Sequence, residues 1–409
     1  MKGLFTRGLW TNANFMRLWG GESISMIGSQ ITLLALPLTA VLVLHATPGE
    51  MGGLAALEYA PFLLFGLVAG AWVDRLQPRR VMIVADVARC IVLVLIPVFA
   101  AVHALWIGEL YIVAFAAGVG TAFFDVAYLA FVPVVVGREQ LLDANAKFEG
   151  SRAFAGIVGP GAAGPLVQLL TAPVVLLVDA ASFLASAFFL VLVRRHRDDR
   201  SRNAQQTSIL REVVSTLGTV ARHPVLRALG GCVGTFNLFS SMAVAIYVLY
   251  VTTVLGVTPA LLGLITAVGG IGALAGTTFV VYAGRRASSG RVITGAILLS
   301  ALGTATIAAA RGTSVLVTVV LTVAQAVVEL GVTATVVKVV SLRQAMTPIG
   351  EEGRISATMR FLIYGTVPLG ALLGGFLGQA LGLRTTVLVA AVGESLAPLW
   401  IVLSPVWTM

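Results

Sequence analysis

Twelve apolar runs, each of about 20 residues or more, follow one another along the 409-residue chain with mostly short polar breaks between them. Runs of that length cross a bilayer as helices, because in hydrocarbon each backbone amide must find its partner within its own segment. They are too long for signal-peptide cores and too continuous for barrel strands. Composition agrees: 58% of residues are hydrophobic and 11% charged, with a mean hydropathy of +0.97. A water-soluble domain carries about 25% charged residues. The chain is therefore expected to be an all-α integral membrane protein. Lys2 and Arg7 precede an apolar run reaching about Leu44 with no small-residue cleavage pattern, so a removable leader is not expected.

The predicted spans are 14–44, 51–73, 81–102, 108–135, 147–170, 173–193, 225–253, 259–283, 290–310, 314–340, 354–380 and 385–404. Pro37, Pro97, Pro133, Pro165 and Pro368 fall within or near span ends, where neighbouring helices can satisfy the freed carbonyls. With the N-terminus inside, 24 of the 27 basic residues fall on the cytoplasmic side; only Arg311 and Arg384 lie outside, and Arg89 within a span. Both termini are thus expected in the cytoplasm. The net charge of +9 reflects positive inner loops beside an anionic leaflet and does not call for nucleic acid. Residues 194–222 form the one long connection. In it Ile209, Leu210, Val213, Val214, Leu217 and Val220 repeat at helical spacing, as in a helix lying on the inner membrane surface. The predicted domains are six-helix bundles at 1–193 and 223–409.

Enzymatic chemistry finds little support. Cys90 and Cys232 sit in apolar helices as small buried hydrophobes, and the four histidines lack ligand spacing, so no metal site is expected. Lys2, Lys147 and Lys338 lack the preceding glycine of a phosphate-cradling loop. A pump without nucleotide hydrolysis of its own draws most simply on an ion gradient. A non-transporting membrane sensor or scaffold remains the reading from another class, although no sensory domain is evident.

A polar island, Gly70-Ala71-Trp72-Val73-Asp74-Arg75-Leu76-Gln77-Pro78-Arg79-Arg80, separates the second and third spans. Charges crowded at a membrane edge are expensive to place. A topogenic positive loop would explain the arginines but needs neither Gly70 nor Asp74. The stretch resembles the loop motif of the major facilitator superfamily, Gly-x-x-x-Asp-Arg-x-x-x-Arg-Arg, matched at Gly70, Asp74, Arg75, Arg79 and Arg80. The resemblance implies twelve helices in two pseudo-symmetric six-helix bundles. It also implies a gate, in which Asp74 caps a helix N-terminus of the other half and Arg75 pairs with an acid on the fourth span, Asp125. Arg152-x7-Pro160 and Arg360-x7-Pro368 recur 208 residues apart, as parallel six-span halves would.

Leu142-Asp143-Ala144-Asn145-Ala146, Gly159-Pro160-Gly161-Ala162-Ala163-Gly164, Gly120-Thr121-Ala122-Phe123-Phe124-Asp125, Asp179-Ala180-Ala181-Ser182-Phe183 and Gly353-Arg354-Ile355-Ser356-Ala357 narrow the likeness. They resemble the branch that holds enterobactin exporters and macrolide-efflux proteins. That implies export of an amphipathic small molecule from a bacterium across its plasma (inner) membrane, by a monomer, with protons as the exchanged ion and no cofactor. An importer or facilitative carrier on the same fold is the alternative.

Ionisable residues inside spans are the coupling candidates. Glu22 heads a polar stripe with Met26, Ser29 and Gln30; Glu329 shares a face with Thr322, Gln325 and Thr333; Asn237 and Ser241 make another. Spans 1, 4, 7 and 10 line the cavity of this architecture, so the resemblance places these faces there. Glu58 and Glu394, on spans 2 and 12, are weaker candidates. Each carboxylate can alternatively be a satisfied interior polar group. Ala114 stands where many proton-coupled members carry an arginine. Gly156, Gly159, Pro160 and Gly164 partly match the antiporter motif and read equally as a bend or as close packing. Asp86 with Arg89, and Glu149 with Arg152, are spaced for local ion pairs, and Asp179 reads as structural.

Overall fold

Each long apolar run folds as a helix. The structure is a computed structural model that describes residues 8–73, 76–194, 222–312, 315–346 and 352–409. Its long helices are α1 (Ala13–Leu42), α2 (Pro48–Val73), α3 (Pro78–Ala101), α4 (Ile107–Val136), α5 (Leu141–Leu170) and α6 (Ala172–Leu192). They continue as α7 (Pro224–Leu249), α8 (Pro259–Ala283), α9 (Ser289–Ala309), α10 (Val315–Met346), α11 (Glu352–Leu381) and α12 (Leu383–Leu396), followed by a single turn, α13 (Leu399–Val402). Among the described residues, ten helical segments are long and apolar enough to cross a membrane; α2 and α11, whose side chains are described only in part, are not among them. Asp74, Arg75 and the amphipathic stretch 209–220 lie outside the described residues, as do the surroundings of Gly70 and the side chain of Arg360.

Helix ends follow local chemistry. Thr258 and Ser288 cap α8 and α9 by accepting from the Leu261 and Arg291 amides at 3.5 and 3.4 Å. Gly137 and Gly382 stop α4 and α11 at positive φ, +76° and +85°, which glycine alone adopts freely. Two predicted boundaries were too tight: α5 begins at Leu141 rather than 147, and α10 continues to Met346 rather than 340. Hydropathy reads the hydrocarbon slab, whereas a helix runs on wherever polar side chains support it. At the start of α5 that support includes Lys147 Nζ on Asp143 Oδ1, at 2.8 Å, one turn apart. The last predicted span, 385–404, is interrupted after Leu396 at Pro398.

The helices form two compact units, Met1–Thr39 with Pro61–Gln206, and Ala40–Ala60 with Thr207–Met409. In the first, Phe15, Leu18, Met82, Phe124 and Phe148 build a core near the ends of α1, α3, α4 and α5. In the second, α7 packs on α11 and α12, and α10 on α8 and α9. Segment 40–60, which the hydropathy boundaries group with the first six spans, packs in this second unit. The cause is backbone proximity: a Cβ built on Gly52 would lie 2.6 Å from the Ala371 carbonyl and 2.7 Å from Gly375 Cα. Only a residue without a side chain admits such an approach.

Candidate functional site

The first unit holds a polar interior. Glu22 of α1 is half-buried, and its Oε2 is buried without a hydrogen-bond partner. Its surroundings are polar: Ser23 Oγ donates to Ser151 Oγ of α5 at 2.8 Å, and Gln30 lies against Gly159. Within electrostatic reach of Glu22 are Arg89 and Asp86 from α3, Asp125 from α4 and Arg152 from α5. Asp125 is exposed on α4. Arg89 and Asp86 form the expected ion pair, fully inside the bundle. The pair is more than local, because Arg89 also lies over the rings of Phe124 of α4 and Phe183 of α6.

One turn further on, Asp179 of α6 accepts from Thr32 Oγ1 at 2.6 Å and Ser182 Oγ at 2.9 Å. Gly28 makes room for them, since any side chain there would meet Ser182 Oγ and Asp179 Oδ1. Asp179 is thus a carboxylate satisfied by hydroxyls between two helices, matching its structural reading. Glu149 and Arg152 pair across 3.6 Å on an exposed part of α5, where such a contact contributes little.

The second unit gathers another set. Gln325 Nε2 of α10 donates to Glu329 Oε1 at 3.2 Å, the i, i+4 relation expected of one face. That face meets α8 at Gly269, whose Cβ would lie 3.0 Å from Gln325 Cγ and 3.2 Å from Glu329 Cγ. Tyr247 of α7 lies within electrostatic reach of Glu329, and its hydroxyl is buried without a hydrogen-bond partner. Asn237 is half-buried on α7, while Ser241 faces Gly370 of α11. Glu58 lies in the 40–60 segment, within reach of Tyr59.

Hydropathy gave no partner for Glu394, which lies on α12. It is 1% exposed and accepts from Ser300 Oγ at 3.4 Å and Thr304 Oγ1 at 3.2 Å, both from α9. Two small hydroxyl residues at i, i+4 in an apolar helix, Ser300 and Thr304, were the available signal, and they name no partner by themselves.

Of the loop motif, Arg79 has a described role. Its Nε donates to the Leu190 carbonyl at 2.7 Å and its Nη2 to the Val191 carbonyl at 2.5 Å. Arg17 Nη1 reaches Leu192 O at 2.8 Å. These guanidiniums sit on the last carbonyls of α6, where positive charge is favoured; the Leu190 carbonyl also accepts from the Val193 amide at 3.3 Å. Arg80 is exposed. On α5, Gly159 closes tightly on Gln30 and the Ile27 carbonyl, whereas Gly156 has open space around it; Pro160, Gly164 and Pro368 of α11 are buried within unbroken helices. Gly159 is therefore a packing glycine.

These features define a polytopic membrane transporter, with acidic side chains inside two helical units. The Major Facilitator Superfamily profile matches residues 18–249, and the chain belongs to that superfamily, a family of transporters and not of enzymes. It is similar to the multidrug efflux pump Tap of Mycolicibacterium fortuitum, 29% identical over 374 residues covering 88% of each chain. It is also similar to macrolide efflux protein A of Streptococcus pyogenes, 24% identical over 233 residues, 56% of each. In fold it resembles a bacterial homologue of the iron transporter ferroportin in an inward-facing state, with a TM-score of 0.76 at 15% identity, covering 95% of this chain and 98% of that one. A bacterial homologue of the lysosomal transporter Spinster gives a TM-score of 0.72 at 13% identity, covering 95% and 96%. The identities to these solved structures are low enough that they speak for the fold alone.

Proposed function

We propose that this protein exports amphipathic small molecules across a bacterial inner membrane in exchange for protons. It spans the membrane twelve times, with both termini in the cytoplasm, and works by alternating access. The observation that carries the reading is the similarity to the efflux pump Tap along most of the chain. Two features support it. Glu22 and Glu329 are ionisable groups held in membrane-spanning helices, where such residues are costly and mark ion paths. The basic residues are biased to one side of the predicted topology. The monomer and the gating role of Asp74, Arg75 and Asp125 belong to the same proposal.

The test is efflux of ethidium and of erythromycin from proteoliposomes with and without an imposed proton gradient, for wild type, Glu22→Gln, Glu329→Gln and Asp74→Asn. Gradient-driven efflux that a glutamate variant loses while still inserting supports antiport. Efflux indifferent to the gradient in all four proteins would mean a facilitative carrier, and gradient-driven uptake an importer.

A further inference from the structure

Inside the first unit Arg89 pairs with Asp86, and Glu22 and Asp179 lie within its electrostatic reach. Arg89 is 4% exposed. Its Cζ lies 4.5 Å from the Phe124 ring centroid and 4.0 Å from that of Phe183. A Cβ at Gly120 would lie 2.7 Å from Arg89 Cγ, so that glycine leaves the side chain its channel. With aromatic rings against it, the guanidinium takes polar partners through its N–H edges. Nη2 pairs with Asp86 Oδ1, and Nη1 donates to Thr121 Oγ1 at 3.4 Å. Nε is buried with no partner, and so are Asp86 Oδ2 and Glu22 Oε2. A buried polar atom without a partner costs stability, and more so when it is charged. A cluster with three of them is a half-completed network, which a packing role does not require.

Other charges frame the cluster. Facing Glu22 are Asp86 and Arg89 from α3, Asp125 and the Tyr128 hydroxyl from α4, and Arg152 from α5. Arg89 also acts on Asp179 of α6. Arg152 is exposed and paired with Glu149, which leaves Arg89 as the buried cation shared by Glu22, Asp86 and Asp179 among the described residues.

We infer that Arg89 is a positioning residue for Glu22, turning its free N–H edge between Asp86 and Glu22. It pairs with Glu22 when that carboxylate is ionised and remains with Asp86 when Glu22 carries a proton. One proton enters on the Glu22 carboxyl as Arg89 withdraws and leaves as it returns; no covalent bond between heavy atoms changes. The inference rests on the proton-exchange reading above and names the group that sets its pH dependence.

The experiment compares the pH profile of ethidium efflux for wild type, Arg89→Gln, Arg89→Lys, Glu22→Gln and the Glu22→Gln/Arg89→Gln double variant in proteoliposomes. Arg89→Gln is expected to shift the profile by about one pH unit, as loss of a neighbouring opposite charge does, and Arg89→Lys by less. In the Glu22→Gln background the same change should produce no further shift. An equal shift in both backgrounds, or none in either, overturns the inference. If Arg89→Gln does not accumulate, Asp86→Asn/Arg89→Gln removes both charges together and is compared in the same two backgrounds. A second readout needs no substrate: the infrared carboxyl band lost in Glu22→Gln, titrated in lipid. Movement of that titration on replacing Arg89 supports the inference and an unmoved titration overturns it. If wild-type efflux ignores the gradient, antiport fails, and the infrared comparison still decides the link between Arg89 and Glu22.

Discussion

Arg79 Nε donates to the Leu190 carbonyl at 2.7 Å, tying the first turn of α3 to the last turn of α6 across 111 residues of chain. With Nη2 on Val191, the contact places a cation at the C-terminal carbonyls of α6, where positive charge is favoured. Arg79→Ala is therefore expected to lower stability by about 1–2 kcal/mol, the range of a charge-assisted bond at a partly exposed site. Arg79→Lys should recover part of it through a single contact. Thermal unfolding of the purified protein measures both, and an unchanged midpoint for the alanine variant would show that the contact contributes nothing.

Gly28 is where α1 crosses the Asp179–Ser182 pair of α6. Gly28→Ala should cost about 1–3 kcal/mol, because the methyl must displace a bonded carboxylate or separate the helices. Adding Ser182→Gly clears one of the two obstructions and should restore part of the loss. Melting midpoints of the single and double variants check this, and equal damage in both would locate the strain elsewhere.

The Gly52–Gly375 approach makes a sharper demand, since backbone meets backbone there. Gly52→Val cannot be accommodated by a rotamer change and should pry the first half of α2 from α11. Trypsin sensitivity and efflux of ethidium are expected to change together, whereas Ala56→Val, at a neighbouring small residue of α2, should be milder. A fully active, protease-resistant Gly52→Val protein would contradict the seam.

Glu394 relies on Ser300 and Thr304 for its hydrogen bonds. Glu394→Gln keeps an acceptor oxygen and should fold near the wild-type midpoint, whereas Glu394→Leu removes it and should cost about 1–3 kcal/mol. Gradient dependence of efflux should survive Glu394→Gln. Its loss would move proton coupling to the α9–α12 interface.

The sequence by itself determined the features that are local in the chain. Long apolar runs dictate helices because hydrocarbon leaves the backbone no other partner, and charge spacing within one helix foretells Asp86 with Arg89 and Gln325 with Glu329. The family, too, was legible in the motif around Asp74 and in the order of the motifs that follow. Only the tertiary structure decided which distant groups meet: Arg79 with Leu190, Arg89 with Phe124 and Phe183, Glu394 with α9, and segment 40–60 with α11. The physical reason is one of scale. Hydropathy and helical periodicity are sums over neighbours in sequence, while ion pairing, ring contacts and glycine-to-glycine approach depend on how helices rotate and cross. That rotation is chosen by many small contacts acting together, and no single stretch of the chain records it.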